Sequence, residues 1–451
     1  MNYRLYVVLV LAFFFIKGMD LALNTKTDVF PDESYHIELI EIYHEDEDGL
    51  IVENSPATYH LGNITHVPYF YHMLGGKILY LNFFGVDDLV FLRTISLVFS
   101  TLTCFFIFKL AQKITDNKLV WLLTLIIAVN IPIFTFMSAA INYDALTNFF
   151  AITSVYLLIV FIEKKKLLPL ILLIVSLCLG AITKISFIPL ALAIGLLLLF
   201  SLRKQILKKN FWKEKYTELR TNKAYIALLL LSIILIIGTA QFYIKNLLNY
   251  HNLLPSCDQI LSQEDCMVNP VYRRDKGLEE TAQIENPVLK SFPEYSMRWF
   301  YLMLERSVNE IGHQSLLRPK FVLFIYASLL LFAYTGFVRR YYSKQHKINY
   351  LLAITISYAF VLLYFQNYSA YRQNANESIG LQGRYILPII GPISVMLAQG
   401  FLMFKKQWVN ILVIILLSIF VITSDYIYFR SKAGDNFFAK DRYQIISTYE
   451  R

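Results

Sequence analysis

Apolar runs recur along the chain and alternate with short polar segments. Each run is roughly twenty residues long, the length that an α-helix needs to cross the hydrocarbon core of a bilayer. The pattern predicts about eleven spans, which begin near residues 5, 89, 119, 144, 167, 185, 224, 319, 348, 384 and 409. We therefore expect an all-α polytopic membrane protein that forms one integral membrane domain over residues 1–451.

The composition agrees with this fold class. Of the 451 residues, 56% are hydrophobic and 17% are charged, which excludes a soluble multidomain protein. A net charge of +9 would suit nucleic acid, but the basic residues lie in clusters between the apolar runs. Such clusters indicate membrane topology, so the lipid bilayer and not nucleic acid is the expected partner.

The basic clusters fall in alternate loops, which should be cytoplasmic. These clusters are Lys109, Lys113 and Lys118, then residues 164–166, 203–223 and 339–347, and finally Lys405 and Lys406. The N-terminus is then cytoplasmic, and the first apolar run is a retained span because no small-residue cleavage site follows it. Residues 24–88 and 245–318 become long extracytoplasmic loops with juxtamembrane helices, and residues 428–451 a short extracytoplasmic tail.

The stretch Pro31-Asp32-Glu33-Ser34-Tyr35-His36 follows the first span almost directly. It is typical of a helix start, because proline suits the first turn and acidic residues favour the positive end of the helix dipole. On that helix Asp32, Tyr35 and His36 would share a face and converge on one bound molecule, whereas Glu33 would point elsewhere. When the stretch is considered alone, a capped helix start with solvated acids is the better explanation.

Four further ionisable residues lie at the predicted extracytoplasmic ends of spans. They are Arg93, Asp144, Lys184 and Arg384. Each one alone is explained by snorkelling to lipid headgroups or by helix capping. Their common level, shared with the two acids of the first loop, favours a joint site. Three cations at one leaflet can hold a lipid-linked phosphate or diphosphate, and the acids can act on an acceptor hydroxyl.

The order of these elements resembles the GT-C superfamily of membrane glycosyltransferases, in particular the protein mannosyltransferase and aminoarabinose transferase branch and the DUF2142-type membrane proteins. The resemblance runs from about residue 5 to 400. It rests on Pro31-Asp32-Glu33 with His36, Thr65-His66-Val67-Pro68-Tyr69, Leu92-Arg93-Thr94, Asn142-Tyr143-Asp144, Thr183-Lys184-Ile185 and Gln382-Gly383-Arg384-Tyr385. Val67 stands where the family commonly has the first of two prolines, which leaves the backbone of that turn less restricted.

The resemblance implies transfer of a sugar from a polyprenyl-phosphate donor to a glycan, lipid or protein acceptor on the extracytoplasmic face. Asp32 would be the general base in a reaction that inverts the anomeric carbon, and Glu33 would orient the acceptor or support Asp32. Arg384, Lys184 and Arg93 would bind the donor phosphate. The remaining substrate contacts would come from His36, Tyr35, His66, Tyr69, Asp144 and Gln382.

Other functions remain open at this point. A ligase or polymerase for lipid-linked oligosaccharide would differ in having a diphosphate leaving group. A lipid or polysaccharide transporter would also place charges among its spans, although no internal repeat is evident. A non-catalytic scaffold of a polysaccharide-export complex would tolerate replacement of Asp32.

Cysteine and histidine placement bears on cofactors. Cys257 and Cys266 lie nine positions apart in the second loop, where a disulfide is plausible in an oxidising compartment and a metal pair is the weaker interpretation. Five of the eight histidines lie in the first loop, but none has the spacing of a dedicated metal site. We expect no required cofactor or metal, and a divalent cation bridging an aspartate to phosphate stays possible.

Overall fold

The computed structural model describes residues 3–46, 53–83, 85–311, 316–341, 346–435 and 437–438. Helices dominate these residues, with one short antiparallel pair of strands, β1 (Glu310–Ile311) and β2 (Leu316–Leu317). The α-helices are α1 (Tyr3–Asn24), α2 (Glu33–Glu45), α3 (Phe70–Leu79), α4 (Asp88–Ile114), α5 (Lys118–Val129), α6 (Pro132–Met137), α7 (Tyr143–Lys164), α8 (Leu167–Thr183), α9 (Ile188–Leu202), α10 (Lys209–Thr221), α11 (Lys223–Tyr250), α12 (Cys257–Ile260), α13 (Gln263–Cys266), α14 (Pro270–Glu285), α15 (Phe292–Val308), α16 (Lys320–Tyr341), α17 (His346–Val361), α18 (Ser369–Asn374), α19 (Ile390–Phe401), α20 (Gln407–Ile422) and α21 (Tyr428–Lys432).

Nine helical stretches within the described residues are long and apolar enough to cross a membrane. They are Tyr3–Asn24, Asp88–Ile114, Tyr143–Lys164, Ile185–Leu202, Lys223–Tyr250, Lys320–Arg339, Lys347–Asn374, Gly383–Phe401 and Gln407–Lys432. Each begins close to a position predicted from the sequence. The other two predicted spans, near residues 119 and 167, correspond to the shorter apolar helices α5 and α8. The all-α membrane fold is thus confirmed, whereas the number of crossings and their orientation remain predictions.

The span predicted near residue 119 is broken for a local reason. Helix α5 ends at Val129, and Ile131 adopts an extended backbone before Pro132 begins α6. A residue that precedes proline avoids the helical region, and proline suits the first turn of a new helix. The chain therefore changes direction between α5 and α6, and the carbonyl of Val129 at the end of α5 accepts hydrogen bonds from the side chains of Lys17 and Thr135.

Helix α7 lies at the centre of the bundle and packs against α4 and α8. Its side chains Ala151, Val155, Leu158 and Phe161 are all buried. Protein surrounds most of this helix, so the residues at its N-terminal end are buried at one end of the bundle. Helix α11 contrasts with it, because it exposes a nearly continuous apolar surface that suits contact with lipid tails.

The two long loops predicted outside the membrane carry structure of their own. Helices α2 and α3 cross so closely that a Cβ at Gly76 would lie 2.7 Å from the backbone nitrogen of His44. The loops also touch each other, since the Asn269 side chain donates a 2.8 Å hydrogen bond to the carbonyl of His60. Helix α11 continues to Tyr250, past the expected start of the second loop at residue 245, and the last helix continues to Lys432, past the expected start of the tail at residue 428. Residues 436 and 439–451 of that tail lie outside the described residues.

Candidate active site

Four charged side chains from distant parts of the chain meet at one end of the bundle. Arg384, in the 3₁₀ segment before α19, donates from Nη2 to Oδ2 of Asp32. Its Nε lies 3.6 Å from Oδ2 of Asp144, which stands in the first turn of α7. Lys184, between α8 and the next 3₁₀ turn, donates a 2.5 Å hydrogen bond to Oδ1 of Asp144. The structure therefore brings these four predicted residues into one continuous network, which we call the charged cluster.

The members of the charged cluster differ in exposure. The side chains of Arg384, Asp144 and Lys184 are almost completely buried, whereas that of Asp32 is 41% exposed. Buried charges need partners, and here each one is paired with an opposite charge. Asp32 is consequently the carboxylate through which the cluster can meet an incoming molecule.

Asp32 is held in an unusual backbone conformation. Its φ of 60° lies in the left-handed region, which aspartate tolerates better than most residues. Helix α2 begins at Glu33, so the expected placement of Pro31 in the first turn is wrong, and the Asp32 side chain makes no cap hydrogen bond. Asp32 occupies the N-cap position, but its carboxylate turns to Arg384 instead of the helix.

Arg384 is positioned by a close contact between two elements. A Cβ at Gly383 would lie 2.3 Å from the carbonyl oxygen of Arg306, at the C-terminal end of α15. Only glycine lets the 3₁₀ segment approach that backbone. Arg306 in turn donates to the carbonyl of Leu381, and so fixes the chain just before Arg384.

Glu33 and Arg93 form a separate pair beside the charged cluster. Nε of Arg93 donates to Oε1 of Glu33 at 2.9 Å and Nη2 donates to Oε2 at 2.7 Å, and both side chains are completely buried. Glu33 also accepts from the backbone N–H of Ile141, and Arg93 donates to the carbonyls of Ala22 and Thr25. Protein groups thus satisfy the charged ends of both side chains. This geometry favours a positioning role, which for Glu33 is one of its two predicted roles, over contact with the acceptor by Glu33 or with the donor phosphate by Arg93.

His36 lies one turn after Asp32 and forms a buried pair with His72 of α3. Their rings stack with centroids 5.2 Å apart, and Nδ1 of His36 lies 2.9 Å from Nε2 of His72. Burial, the neighbouring His72 and the cations Arg384 and Lys184 hold the pKa of His36 well below its usual range. Burial lowers the pKa of His72 to about 3. Both imidazoles are therefore neutral at pH 7, and neither acts as a cation toward phosphate.

Tyrosines surround the histidine pair and the lysine. Burial and the nearby Asp32 carboxylate raise the pKa of Tyr35 to about 12, so this phenol serves as a hydrogen-bond donor and not as a base. Lys184 Nζ lies 4.2 Å from the ring centroid of Tyr143 and 5.0 Å from that of Tyr385. Sequence reasoning missed Tyr143 and Tyr385 as neighbours of the site, and it considered His72 only among candidate metal ligands. The first two stand next to Asp144 and Arg384 in the chain, and that adjacency was the available signal.

Several buried polar atoms around the charged cluster have no hydrogen-bond partner within the described part of the chain. They are Nε and Nη1 of Arg384, Oδ2 of Asp144 and Nε2 of His36. Unsatisfied buried donors and acceptors are costly in a native protein and call for an explanation. Nε of Arg384 and Oδ2 of Asp144 face each other as an ion pair at 3.6 Å, so Nη1 of Arg384 and Nε2 of His36 are the atoms for which a bound ligand would supply partners.

Three predicted substrate residues lie apart from the charged cluster or at its edge. His66 contacts Asn246 of α11 at 3.1 Å and packs its ring against Tyr250. Tyr69 packs against Phe242, also on α11. Gln382 is partly buried and immediately precedes the segment that carries Arg384. The structure therefore groups His66 and Tyr69 with α11 instead of with Asp32.

Cys257 and Cys266 are joined by a disulfide within the second loop. It links the short helices α12 and α13, and α13 lies beside the 3₁₀ turn Pro56–Leu61 of the first loop. Across the ranges that the structure describes, no group of three or more histidine, cysteine, aspartate or glutamate side chains is arranged to hold a metal ion. The expectation that no metal is required stays a prediction.

Comparison with solved structures shows the fold. The structure of ArnT from Cupriavidus metallidurans in the apo state is similar to this chain, with a TM-score of 0.51 and 12% sequence identity. The match covers 89% of this chain and 60% of the ArnT chain. The Archaeoglobus fulgidus oligosaccharyltransferase, tethered to an acceptor peptide, matches 96% of this chain and 58% of its own with a TM-score of 0.52 and 12% identity. The chain thus spans less than two thirds of either protein. These matches confirm the expected GT-C-like fold.

Sequence comparison identifies the family. No curated protein matches the chain. The model of the family described as "Predicted membrane protein (DUF2142)" matches residues 43–393, well over half of the chain and including Arg93, Asp144, Lys184 and Arg384. The chain therefore belongs to the DUF2142 family of membrane proteins.

Proposed function

We propose that this protein is a membrane glycosyltransferase that moves a sugar from a polyprenyl-phosphate donor to an acceptor hydroxyl on the extracytoplasmic face. The observation that carries the proposal is the contact between Asp32 and Arg384. It joins an exposed carboxylate to a buried guanidinium that still has unused donors. The GT-C-like fold, which the chain has in common with an oligosaccharyltransferase, supports the reaction class.

Asp32 is the general base in this mechanism. Its carboxylate accepts the proton of the acceptor hydroxyl while that oxygen attacks the anomeric carbon of the donor sugar. The bond between the anomeric carbon and the phosphate oxygen breaks, and the configuration at carbon inverts. A base must be ionised and within hydrogen-bond reach of its proton. The exposure of Asp32 supports the second condition, and its ion pair with a guanidinium supports the first.

Arg384 and Lys184 receive the leaving phosphate. A guanidinium has five N–H donors, so Arg384 can hold Asp32 through Nη2, face Asp144 through Nε and bind a phosphate oxygen through Nη1. Lys184 adds a point charge, and Asp144 holds both cations in place. Fixed positive charge where negative charge develops is the largest stabilising contribution in many enzymes. Tyr35 and Gln382 are the proposed contacts to substrate hydroxyls.

The test uses the purified full chain in lipid with labelled polyprenyl-phosphate sugars and candidate acceptors. Asp32→Asn should lower the transfer rate by about 10²- to 10⁴-fold, the usual contribution of a general base. Glu38→Gln is the matched control, because Glu38 lies on α2 with a similarly exposed side chain. Full activity of Asp32→Asn would remove Asp32 as the base. We expect EDTA to leave the wild-type rate unchanged.

Donor analogues separate the alternatives. A preference for polyprenyl-diphosphate sugars would indicate an oligosaccharide ligase or polymerase. Movement of labelled donor across proteoliposomes without transfer to any acceptor would indicate a transporter. The proposed glycosyltransferase should release polyprenyl phosphate and leave the label covalently bound to the acceptor.

A further inference from the structure

The segment of residues 203–223 carries most of the net charge of the protein. It contains eight lysines and arginines and two acids, Glu214 and Glu218, whereas the whole chain has a net charge of +9. The segment joins α9 to α11 and includes α10. None of the roles proposed for the active site uses it.

This segment lies on the face of the bundle opposite the charged cluster. Helix α9 begins just after Lys184 and runs through one apolar span to Leu202, where the basic segment starts. Helix α11 begins at Lys223 and returns through the next span. Both spans expose apolar side chains outward, among them Leu196, Leu199, Leu230 and Ile234. Helix α10 is therefore held where two lipid-facing helices reach the membrane surface.

One side of α10 is fixed to the protein. Lys215 is buried, donates to the carbonyl of Lys165 and donates to Glu218 at 2.8 Å. Glu218 also accepts a 2.7 Å hydrogen bond from the backbone N–H of Leu167, at the start of α8. These contacts satisfy one of the two acids internally and set which side of α10 faces away from the bundle.

The opposite side of α10 combines large apolar side chains with unburied cations. Trp212 is 56% exposed and Tyr216 is 62% exposed. Lys208, Lys209 and Lys213 are also exposed. Tryptophan and tyrosine favour the headgroup level of a bilayer, and lysine near an anionic surface is attracted to it. A basic helix with an aromatic face is typical of a helix that lies in the membrane interface.

We propose that this outer face of α10, formed by Lys209, Trp212, Lys213 and Tyr216 together with Lys208 just before the helix, binds the headgroups of anionic phospholipids in the leaflet opposite the active site. The lysines contact the phosphates, while the two aromatic rings lie at the level of the glycerol backbone. The charge of the segment and its attachment between two lipid-facing spans both favour a lipid occupant. This inference is independent of the proposed transferase activity.

The test measures Trp212 fluorescence in the full-length protein reconstituted with brominated lipids, whose bromine quenches nearby tryptophan. The Trp212→Phe variant supplies the signal of the other three tryptophans, which is subtracted. We expect brominated phosphatidylglycerol to quench Trp212 more strongly than brominated phosphatidylcholine at equal mole fraction. In K208Q/K209Q/K213Q, half-maximal quenching should need more than about fivefold more phosphatidylglycerol, the loss expected when interfacial lysine charge is removed.

Lys405→Gln/Lys406→Gln is the matched control, because these lysines are exposed in another basic loop expected on the same face. This variant should keep the stronger quenching of Trp212 by brominated phosphatidylglycerol than by brominated phosphatidylcholine that we expect of the wild type. Equal quenching by the two lipids in the wild type would overturn the proposal, because Trp212 would then only be immersed in the interface. Absence of quenching by either lipid would also overturn it and would point to a protein occupant. Equal thermal stability of all variants would show that a change in quenching does not result from misfolding.

Discussion

Arg384 donates a hydrogen bond to Asp32 although 352 positions separate the two residues in the chain. The guanidinium is almost completely buried, whereas the carboxylate is partly exposed. Asp144 lies 3.6 Å from the same guanidinium on its inner side. Arg384 therefore links the interior of the bundle to the one acid of the charged cluster that an incoming molecule can reach.

Arg384 should be more sensitive to substitution than its charge alone explains. We expect Arg384→Lys to retain the contact with Asp32 but to lose the planar guanidinium, which can pair with Asp32 and Asp144 and still donate from Nη1 to phosphate. The kcat/KM of Arg384→Lys for the lipid-linked donor should be about 10- to 100-fold lower than that of the wild type, in line with the loss of one charge-assisted contact. The kcat/KM of Arg384→Gln should be lower still. Steady-state rates against donor concentration test this. Equal rates for arginine and lysine would indicate that Arg384 acts only as a point charge.

The two adjacent acids should respond differently to amide substitution. Glu33→Gln leaves the buried Arg93 guanidinium without its carboxylate, and breaking such a pair typically costs about 3–5 kcal/mol of stability. Asp32→Asn should change stability little, because its side chain is partly exposed, and should change activity greatly. Thermal unfolding in lipid and activity per folded molecule measure the two effects. A Glu33→Gln protein of normal stability but without activity would contradict the positioning role and restore the catalytic role predicted from the sequence.

A second buried ion pair should hold the last span in place. Nζ of Lys17 on α1 lies 2.8 Å from Oδ2 of Asp425, in the π-helical turn after α20, and also contacts the carbonyl of Val129 where α5 ends. Lys17→Met alone should destabilise the protein by about 3–5 kcal/mol, and Lys17→Met/Asp425→Leu by less, because no unpaired charge remains. Thermal unfolding of the two variants shows whether the single substitution destabilises the protein more than the double substitution.

The control for this pair is Lys113 with Glu163, which lies 2.9 Å apart but is partly exposed. Lys113→Met should cost less than about 1 kcal/mol, because water screens an exposed pair. If Lys17→Met were as mild as Lys113→Met, the last span would be held by apolar packing and not by the ion pair.

The buried histidines should make stability depend on pH. Because burial lowers the pKa of His72 to about 3, the folded protein keeps a neutral imidazole that the unfolded chain protonates near pH 6.5. The stabilising contribution is complete above pH 6.5 and is lost as the pH falls toward 3, by about 1.4 kcal/mol per pH unit for one group. The melting temperature in lipid should therefore fall between pH 7 and pH 4.5.

Histidine variants identify the source of that pH dependence. His36→Gln/His72→Gln should show a shallower fall than the wild type, whereas His60→Gln should behave as the wild type, because His60 is about half exposed on the surface of the first loop. Identical slopes for the wild type and His36→Gln/His72→Gln would assign the pH dependence to other groups.

Local pattern predicted the helices well because apolar length is a property of consecutive residues. Helices begin close to all eleven predicted positions, and one discrepancy, the break between α5 and α6, has a visible local cause in Pro132. Local pattern also placed the start of α2 too early. Proline permitted a helix at residue 31, but the left-handed backbone of Asp32 delays it to Glu33.

The sequence by itself predicted that Asp32, Asp144, Lys184 and Arg384 lie at one level, because each stands near the end of an apolar run, and the structure brings them together at one end of the bundle. Only the tertiary structure decided which charges pair. Asp32 and Glu33 are neighbours in the chain, yet one side chain is 41% exposed and bound to Arg384, while the other is completely buried against Arg93. The physical reason is that adjacent residues at a helix start point in different directions, and the packing of α4, α7 and the segment before α19 determines which partner lies in each direction.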